Sequence, residues 1–180
     1  MALLAPMAEQ ILLVDDNPAN LKILYETLDG RGYRLLVADS GEKALAIARK
    51  SNPGLVLLDI MMPGMDGFEV CRQLKSASAT AASSVIFLSA LDDIESKVRG
   101  FDLGGVDYIS KPFQVKEVLA RVQTHLKIHL LERTLEARNR ELRDLSRHMS
   151  RVAESEKHAL ARELHDELGG LLVALRMDIA

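Results

Sequence analysis

Five short apolar runs punctuate the first two thirds of the chain: "ILLV" from Ile11, "RLLVA" from Arg34, "GLVLL" from Gly54, "SVIFL" from Ser84 and "VDYI" from Val106. Between them the apolar residues take helical spacing, as in Leu21, Ile23, Leu24 and Leu28, or Ala44, Leu45 and Ala48. Up to about His125 this is a β-α unit repeated five times. Runs without polar alternation suit strands covered on both faces. The expected fold is therefore α/β, a doubly wound five-stranded parallel sheet with right-handed crossovers.

From about Val115 neither Pro nor Gly appears until Gly169, and charged, straight-chained residues dominate. Such a composition favours one long helix, roughly 100 Å if it continued to the end at about 1.5 Å per residue. Ile128, Leu131, Leu135, Leu142, Leu145, Met149 and Val152 fall on a and d positions of a heptad, interrupted by Arg138 at d and Glu156 at a. A small domain cannot bury that seam along its length, so it is expected to pair with a second copy as a parallel coiled coil. The other reading of these residues is a solvated helix whose Arg and Glu pair along one surface. After Val152, Leu160, Leu164 and Leu168 follow at steps of four before Leu171 and Leu175 resume the earlier rhythm. Such a stutter marks the passage of a two-stranded coil into a different bundle.

With 180 residues the chain holds one ordinary domain and an appendage, too little for two catalytic domains. Its 23 Lys and Arg against 26 Asp and Glu leave a net charge of -3, which argues against nucleic acid or an anionic membrane surface as the default partner. Cys71 stands alone, so there is no internal disulfide and no thiolate zinc cluster; it reads as an inert helix thiol. No run reaches about 18 consecutive apolar residues and the opening residues carry no signal pattern, so a cytoplasmic protein with a disordered stretch over 1–8 is expected.

The chemistry gathers at strand ends. Asp15 and Asp16 follow "ILLV", Asp59 follows "GLVLL", Ser89 follows "VIFL" and Lys111 follows "VDYIS". In a doubly wound sheet such ends converge where the winding reverses. Three converging carboxylates repel one another unless a divalent cation joins them, and an all-oxygen set favours magnesium over zinc. A hydroxyl and a fixed ammonium beside a metal make an anion site.

The segments "ILLVDDN", "LLDIMMPGMDGFEV", "FLSA" and "DYISKPF" resemble, in order and spacing, the receiver domain of two-component systems over about Glu9 to Leu126. The resemblance implies a flavodoxin-like sheet of order 2-1-3-4-5 with Asp59 as phosphoryl acceptor. It further implies Mg2+ held by Asp15, Asp16, Asp59 and the Met61 carbonyl. Ser89 and Lys111 would assist transfer, and the Lys111–Pro112 bond would be cis. Tyr108 is either a buried strand tyrosine or, by the resemblance, the aromatic that moves with Ser89 as a switch. Pro63, Gly64 and Gly67 read as turn chemistry and Asp66 as a helix cap.

His125, His129, His148 and His158 read as ordinary surface histidines. His165 differs, with Asp166 beside it and Leu164 and Leu168 turned into a bundle, so that Asp166 could orient the imidazole or take its proton. "EKHALARELHDELGGLLVALRMDI" is similar to the first dimerisation helix of histidine kinases that carry "ARELHD". That likeness implies His165 as a second phosphoacceptor and Asp166 as a base. Neither a second hairpin helix nor an ATP-binding motif follows, so the chain alone cannot use ATP, and Gly169 and Gly170 are expected to loosen the last turns. The organisation expected is a receiver over 9–126, a coiled-coil linker over 127–158 and a partial phosphoacceptor helix over 159–180. The function expected is a phosphorylation-controlled module that regulates a histidine kinase as a homodimer. It would take its phosphoryl group from a histidine kinase or phosphotransfer protein and work with a kinase ATP-binding domain that this chain lacks. Two alternatives stand: a response regulator with a DNA-binding output, for which only Arg162 and Arg176 lie near a turn at Gly169, and a phosphate sink or relay.

Overall fold

The computed structural model describes residues 9–90 and 94–177, with side chains described through Arg151 apart from 91–97, and again at Glu154 and Lys157. The stretch 1–8 lies outside the described residues. Strands β1 (Gln10–Val14), β2 (Arg34–Ala38), β3 (Leu55–Asp59), β4 (Ser84–Ala90) and β5 (Asp107–Lys111) alternate with helices α1 (Pro18–Leu28), α2 (Gly41–Ser51), α3 (Gly67–Ser76), α4 (Ile94–Asp102) and α5 (Val115–Met177). Every strand pair is parallel and the order is β2-β1-β3-β4-β5. The winding reverses between β1 and β3, whose carboxyl ends therefore open a crevice.

The fully apolar runs have the cause proposed for them. One face of the sheet, with Leu12, Val14, Val56, Leu58, Val85 and Phe87, packs on Ala44, Leu45 and Ala48 of α2 and on Val70, Cys71 and Leu74 of α3. The other, with Ile11, Leu13, Leu55, Leu57, Ile86 and Leu88, packs on Leu21, Leu24 and Leu28 of α1 and on Val118, Val122 and Leu126 of α5. β2 is the exception. Its run is as apolar as the others, yet Val37 is 42% exposed, because β2 forms an edge and has a neighbour on one side only. Cys71, expected as an inert helix thiol, is buried on α3: burial raises its pKa to about 11, and its Sγ lies 3.6 Å from the Leu103 carbonyl oxygen.

Three strand boundaries differ from the expectation. Asp59 closes β3, Lys111 closes β5 and Ser89 lies within β4, instead of following those strands. The parallel ladder continues to the site because Asp59 pairs with Leu88 and Ala90 with Lys111.

Glycine is required where the β3–α3 loop returns. The Gly67 amide donates to the Ile60 carbonyl at 2.9 Å, and a Cβ there would overlap the Asp59 carbonyl oxygen and lie 2.9 Å from Ile60 Cα. Backbone meets backbone, so nothing flexible can yield. Gly67→Ala is expected to cost about 2–3 kcal/mol in urea unfolding; a loss below about 0.5 kcal/mol would show that the loop has slack.

The chain divides into two compact units, one through Glu132 and one from Arg133. In the first, Val118, Val122, Leu126 and His129 form the buried stripe of α5. In the second, the helix presents Leu135, Leu142, Leu145 and Met149 at 55–64% exposure. Around them run exposed ion pairs such as Arg138–Glu141 at 3.0 Å and Arg147–Asp144 at 3.3 Å, each worth only a few tenths of a kcal/mol. Helical backbone reaches Met177 and includes Gly169 and Gly170, while the side chains of His158, His165 and Asp166 lie outside the described residues. Among the described residues, no helix is long and apolar enough to cross a membrane.

Candidate functional site

Adjacent strands carry the acids to one place. Asp15 lies directly after β1, Asp59 ends β3, and with Asp16 their carboxylate oxygens lie within 4.8 Å of one another. Asp15 and Asp59 are buried while Asp16 is exposed, so the cluster opens to solvent on one side.

Asp15 is held on several sides. The Asn17 amide donates to its Oδ1 at 2.9 Å, and Asn20 Nδ2 donates to both of its oxygens at 3.0 Å. Neither asparagine was singled out from the sequence, because each also serves as ordinary helix-start chemistry: Asn17 caps α1 by accepting from the Ala19 amide at 2.9 Å, ahead of Pro18. Lys111 reaches across from β5, its Nζ 2.8 Å from Asp15 Oδ2 and 2.8 Å from Asp59 Oδ2.

One ammonium against three carboxylates leaves the cluster short of positive charge. Burial is the largest influence on Asp59 and raises its carboxyl above the usual aspartate range; the Asp15 charge adds to this, and the opposing hydrogen bond from Lys111 does not prevail. For Lys111, burial alone would lower the pKa, but the bonds to Asp15 and Asp59 outweigh it and the ammonium is held above its ordinary value. The amide of Met61, a residue 81% exposed, points to Asp59 Oδ1 over a long 3.4 Å.

The donor set fits a hard divalent cation: carboxylate oxygens only, two of the three groups desolvated, and a shortage of positive charge that the lysine does not make good. Ser89 supplies a separate sign of a polar ligand. Its side chain is buried and its Oγ has no hydrogen-bond partner among the described residues, an arrangement that favours the arrival of a polar ligand.

Around this centre the loop residues occupy the places expected of turn and cap. Gly64 has φ 77°, the left-handed region, and Asp66 caps α3 by accepting from the Glu69 amide at 2.7 Å. Asp66 is thus committed to the helix and stands outside the acid cluster. The Lys111–Pro112 bond is cis. Tyr108 is 6% exposed, its ring stacked on Phe87 at 5.4 Å and set edge-on to Phe101 at 5.1 Å.

Two histidines depart from the surface role expected of them. His129 is buried on the docked stripe of α5. His125 Nε2 lies 2.9 Å from Asp107 Oδ2, and Arg121 Nη1 lies 2.6 Å from both Asp107 oxygens. Sequence reading missed both because their acid and apolar partners come from other elements, not from neighbouring residues. Burial opposes ionisation of Asp107 most strongly, yet Arg121 and His125 together hold its pKa below the usual value. A carboxyl with a depressed folded-state pKa contributes stability that is present above the unfolded value, 3.8, and is lost as pH falls through the folded value. Asp107→Asn should therefore lower stability at pH 7 and flatten its acid dependence below about pH 4; an unchanged acid limb in pH-dependent urea melts would refute this.

The comparisons agree with this geometry. The model of the response regulator receiver domain matches residues 11–123. The DNA-binding dual master transcriptional regulator RpaA of Synechocystis sp. is 42% identical over 118 residues, covering 66% of this chain and 49% of that protein. A response regulator from Chloroflexus aurantiacus superposes with a TM-score of 0.64 at 34% identity, covering 67% of this chain and 98% of that structure. The signal receiver domain of a signal transduction histidine kinase from Syntrophus aciditrophicus gives a TM-score of 0.61 at 32% identity, covering 67% of this chain and 91% of that one. The chain spans about half the length of RpaA. With the acid cluster, the lysine bridge and the buried serine in place on a sheet of order β2-β1-β3-β4-β5, the chain belongs to the response regulator receiver domain family.

Proposed function

We propose that this chain is the receiver and signalling-helix part of a hybrid histidine kinase. Asp59 accepts a phosphoryl group, and the state of the site controls a phosphoacceptor helix centred on His165. The observation that carries the first half is the Lys111 ammonium bridging Asp15 and Asp59, with a buried Ser89 hydroxyl that has no partner among the described residues. In transfer from a phosphohistidine donor, an Asp59 carboxylate oxygen forms a bond to phosphorus. The donor P–N bond breaks and its electron pair returns to the imidazole, which takes a proton. Lys111 balances charge on the arriving oxygens and Ser89 donates to one of them. Asp15, Asp16, Asp59 and the Met61 carbonyl would hold Mg2+, which when bound neutralises phosphoryl charge and orients the acceptor.

The second half rests on sequence resemblance around His165 and Asp166 and on the exposed apolar residues of α5. It gains support from the match to a receiver taken from a histidine kinase. On this reading residues 9–126 are the receiver, 127–158 the linker and 159–180 part of the kinase dimerisation helix. Leu135, Leu142, Leu145 and Met149 pair with the same residues of a second copy. Relatives such as RpaA are DNA-binding regulators, which favours a DNA-directed output as the second reading.

A small acyl phosphate tests the first half. Intact-mass measurement should show one phosphoryl adduct that requires Mg2+ and is lost with chelator; an adduct of equal yield without Mg2+ would refute the assigned site. For the second half, Leu142→Lys should convert a dimer to a monomer in sedimentation equilibrium, because a charge at a central a position costs several kcal/mol per pair. A wild-type monomer at about 100 μM would refute the pairing.

A further inference from the structure

The sheet has a second edge, where the strands begin, and α5 is held there before it leaves the domain. Main-chain bonds knit this edge together. The Arg34 amide donates to the Glu9 carbonyl at 2.9 Å, the Gly54 amide to the Gln10 carbonyl at 3.0 Å and the Ser84 amide to the Gly54 carbonyl at 3.0 Å, so Gly54 is fixed from both sides. A Cβ built on Gly54 would lie 2.9 Å from Glu9 Oε2, 3.1 Å from His129 Cδ2 and 3.3 Å from His129 Nε2. Glu9 can give way, because its carboxylate ends a flexible side chain. His129 has less freedom: it is 5% exposed and follows Val118, Val122 and Leu126 on the docked stripe of α5.

Nothing in the backbone asks for glycine at this position. The φ of Gly54 lies outside the left-handed region, and a glycine at the start of a strand gives up side-chain packing. What it leaves is room for the imidazole. Contacts on either side follow the same line. One turn earlier on α5, His125 Nε2 lies 2.9 Å from Asp107 Oδ2 at the start of β5. One turn later, Glu132 brings its charge near Lys75 of α3: burial is the largest influence on the Lys75 ammonium and lowers its pKa, and Glu132 is among the charges that oppose this. Lys75 Nζ is itself tied to the amino edge, donating to the Ser83 carbonyl at 2.8 Å. After His129 every described side chain of α5 is exposed.

We infer that Gly54 and His129 form a notch and peg that anchor α5 to the amino edge of the sheet, and that this pair sets where the domain lets go of its output helix. Both are positioning residues. They stand at the edge opposite the acid cluster and act only through the helix. The functional half of the inference rests on the reading of α5 as the output element; the anchor itself does not.

Valine at position 54 suits the start of a strand and puts methyl groups where the imidazole lies. Amide hydrogen exchange is measured on the full chain carrying Leu142→Lys, so that pairing between copies does not protect the helix. In that background Gly54→Val should speed exchange over residues 127–132 about tenfold, with the amides of β1, β3 and β4 unchanged. His129→Ala alone should do the same. Combining the two, which lets the valine fill the space the imidazole vacates, should return exchange to within about threefold of the parent. Unchanged exchange in Gly54→Val overturns the anchor. So does a loss of protection across the whole sheet, which would make the valine a general defect, and so does a double variant as fast as the product of the two singles. In the chain with Leu142 restored, Gly54→Val should weaken dimerisation about tenfold in sedimentation equilibrium, because the loosened turns must then be ordered on association. An unchanged dimer constant overturns the functional half. A wild type that never dimerises overturns the paired-helix reading instead, and is distinct from every exchange result.

Discussion

Asp59→Ala should abolish phosphoryl uptake, and peptide mapping after exposure to an acyl phosphate should find no transfer of the label to Asp15 or Asp16. The three carboxylates differ in their bonding. Asp15 has both oxygens engaged by Asn20, one also by the Asn17 amide and the other also by Lys111, so the carboxylate is held in place and is not free to advance on phosphorus. Asp16 is exposed, away from the low-dielectric setting in which a neighbouring charge matters most. Asp59 alone combines burial, a bond to Lys111 and an Oδ1 whose amide contact is long. The loss should reach at least about a thousandfold, as for removal of a nucleophile in other covalent mechanisms. Folding should change little, because the substitution removes a burial cost and a repulsion together with an ion pair. A phosphorylated Asp15 in the Asp59→Ala protein would show that this division of roles is wrong.

Lys111→Met should destabilise the protein by about 2 kcal/mol, and Mg2+ should restore most of the loss. Breaking a fully buried pair costs roughly 3–5 kcal/mol because the remaining charge has no partner. The Lys111 side chain is 26% exposed, which brings the estimate down through solvent screening. The pH dependence fixes the sign. The raised Asp59 pKa means that ionisation of this group costs stability above its folded value, and that stability returns as pH falls toward 3.8. Without the lysine that cost grows, so the gap between Lys111→Met and wild type should narrow on acidification. Lys111 itself, raised above 10.5, contributes stability in full below that value, and the contribution is lost as pH rises through the folded-state value. Saturating Mg2+ at about a hundredfold over its Kd stabilises by about 2.7 kcal/mol in the simple linkage case. Urea melts with and without Mg2+ at pH 7 would measure both terms, and a variant as stable as wild type in chelator would refute the account.

Much of the fold was legible because the parallel sheet writes itself as unbroken apolar runs, and the acids, Ser89 and Lys111 could be placed at its carboxyl edge by element order alone. What was not legible depends on three-dimensional neighbours. "RLLVA" signals a strand but not its position at the edge, so the exposure of Val37 could not be foreseen. Asn17 and Asn20 look like helix-start residues and also clamp Asp15. His125 has no acid beside it in sequence, and its partner Asp107 comes from β5. Gly100 carries no signal at all until the Tyr108 ring is seen against it.

The first turns of α5 beyond the domain core present two faces at once. Val122, Leu126 and His129 are buried against the sheet, whereas Ile128 and Leu131, 42% and 58% exposed, lie on the opposite side by helical spacing. Docking and pairing therefore do not compete for the same side chains. In the proposed dimer a second helix would lie along Ile128 and Leu131 with every contact to the sheet intact, and the same two turns would belong to the domain and to the pairing. In that dimer, whatever shifts the docked stripe would reach the partner through Ile128 and Leu131, which stand on the same two turns.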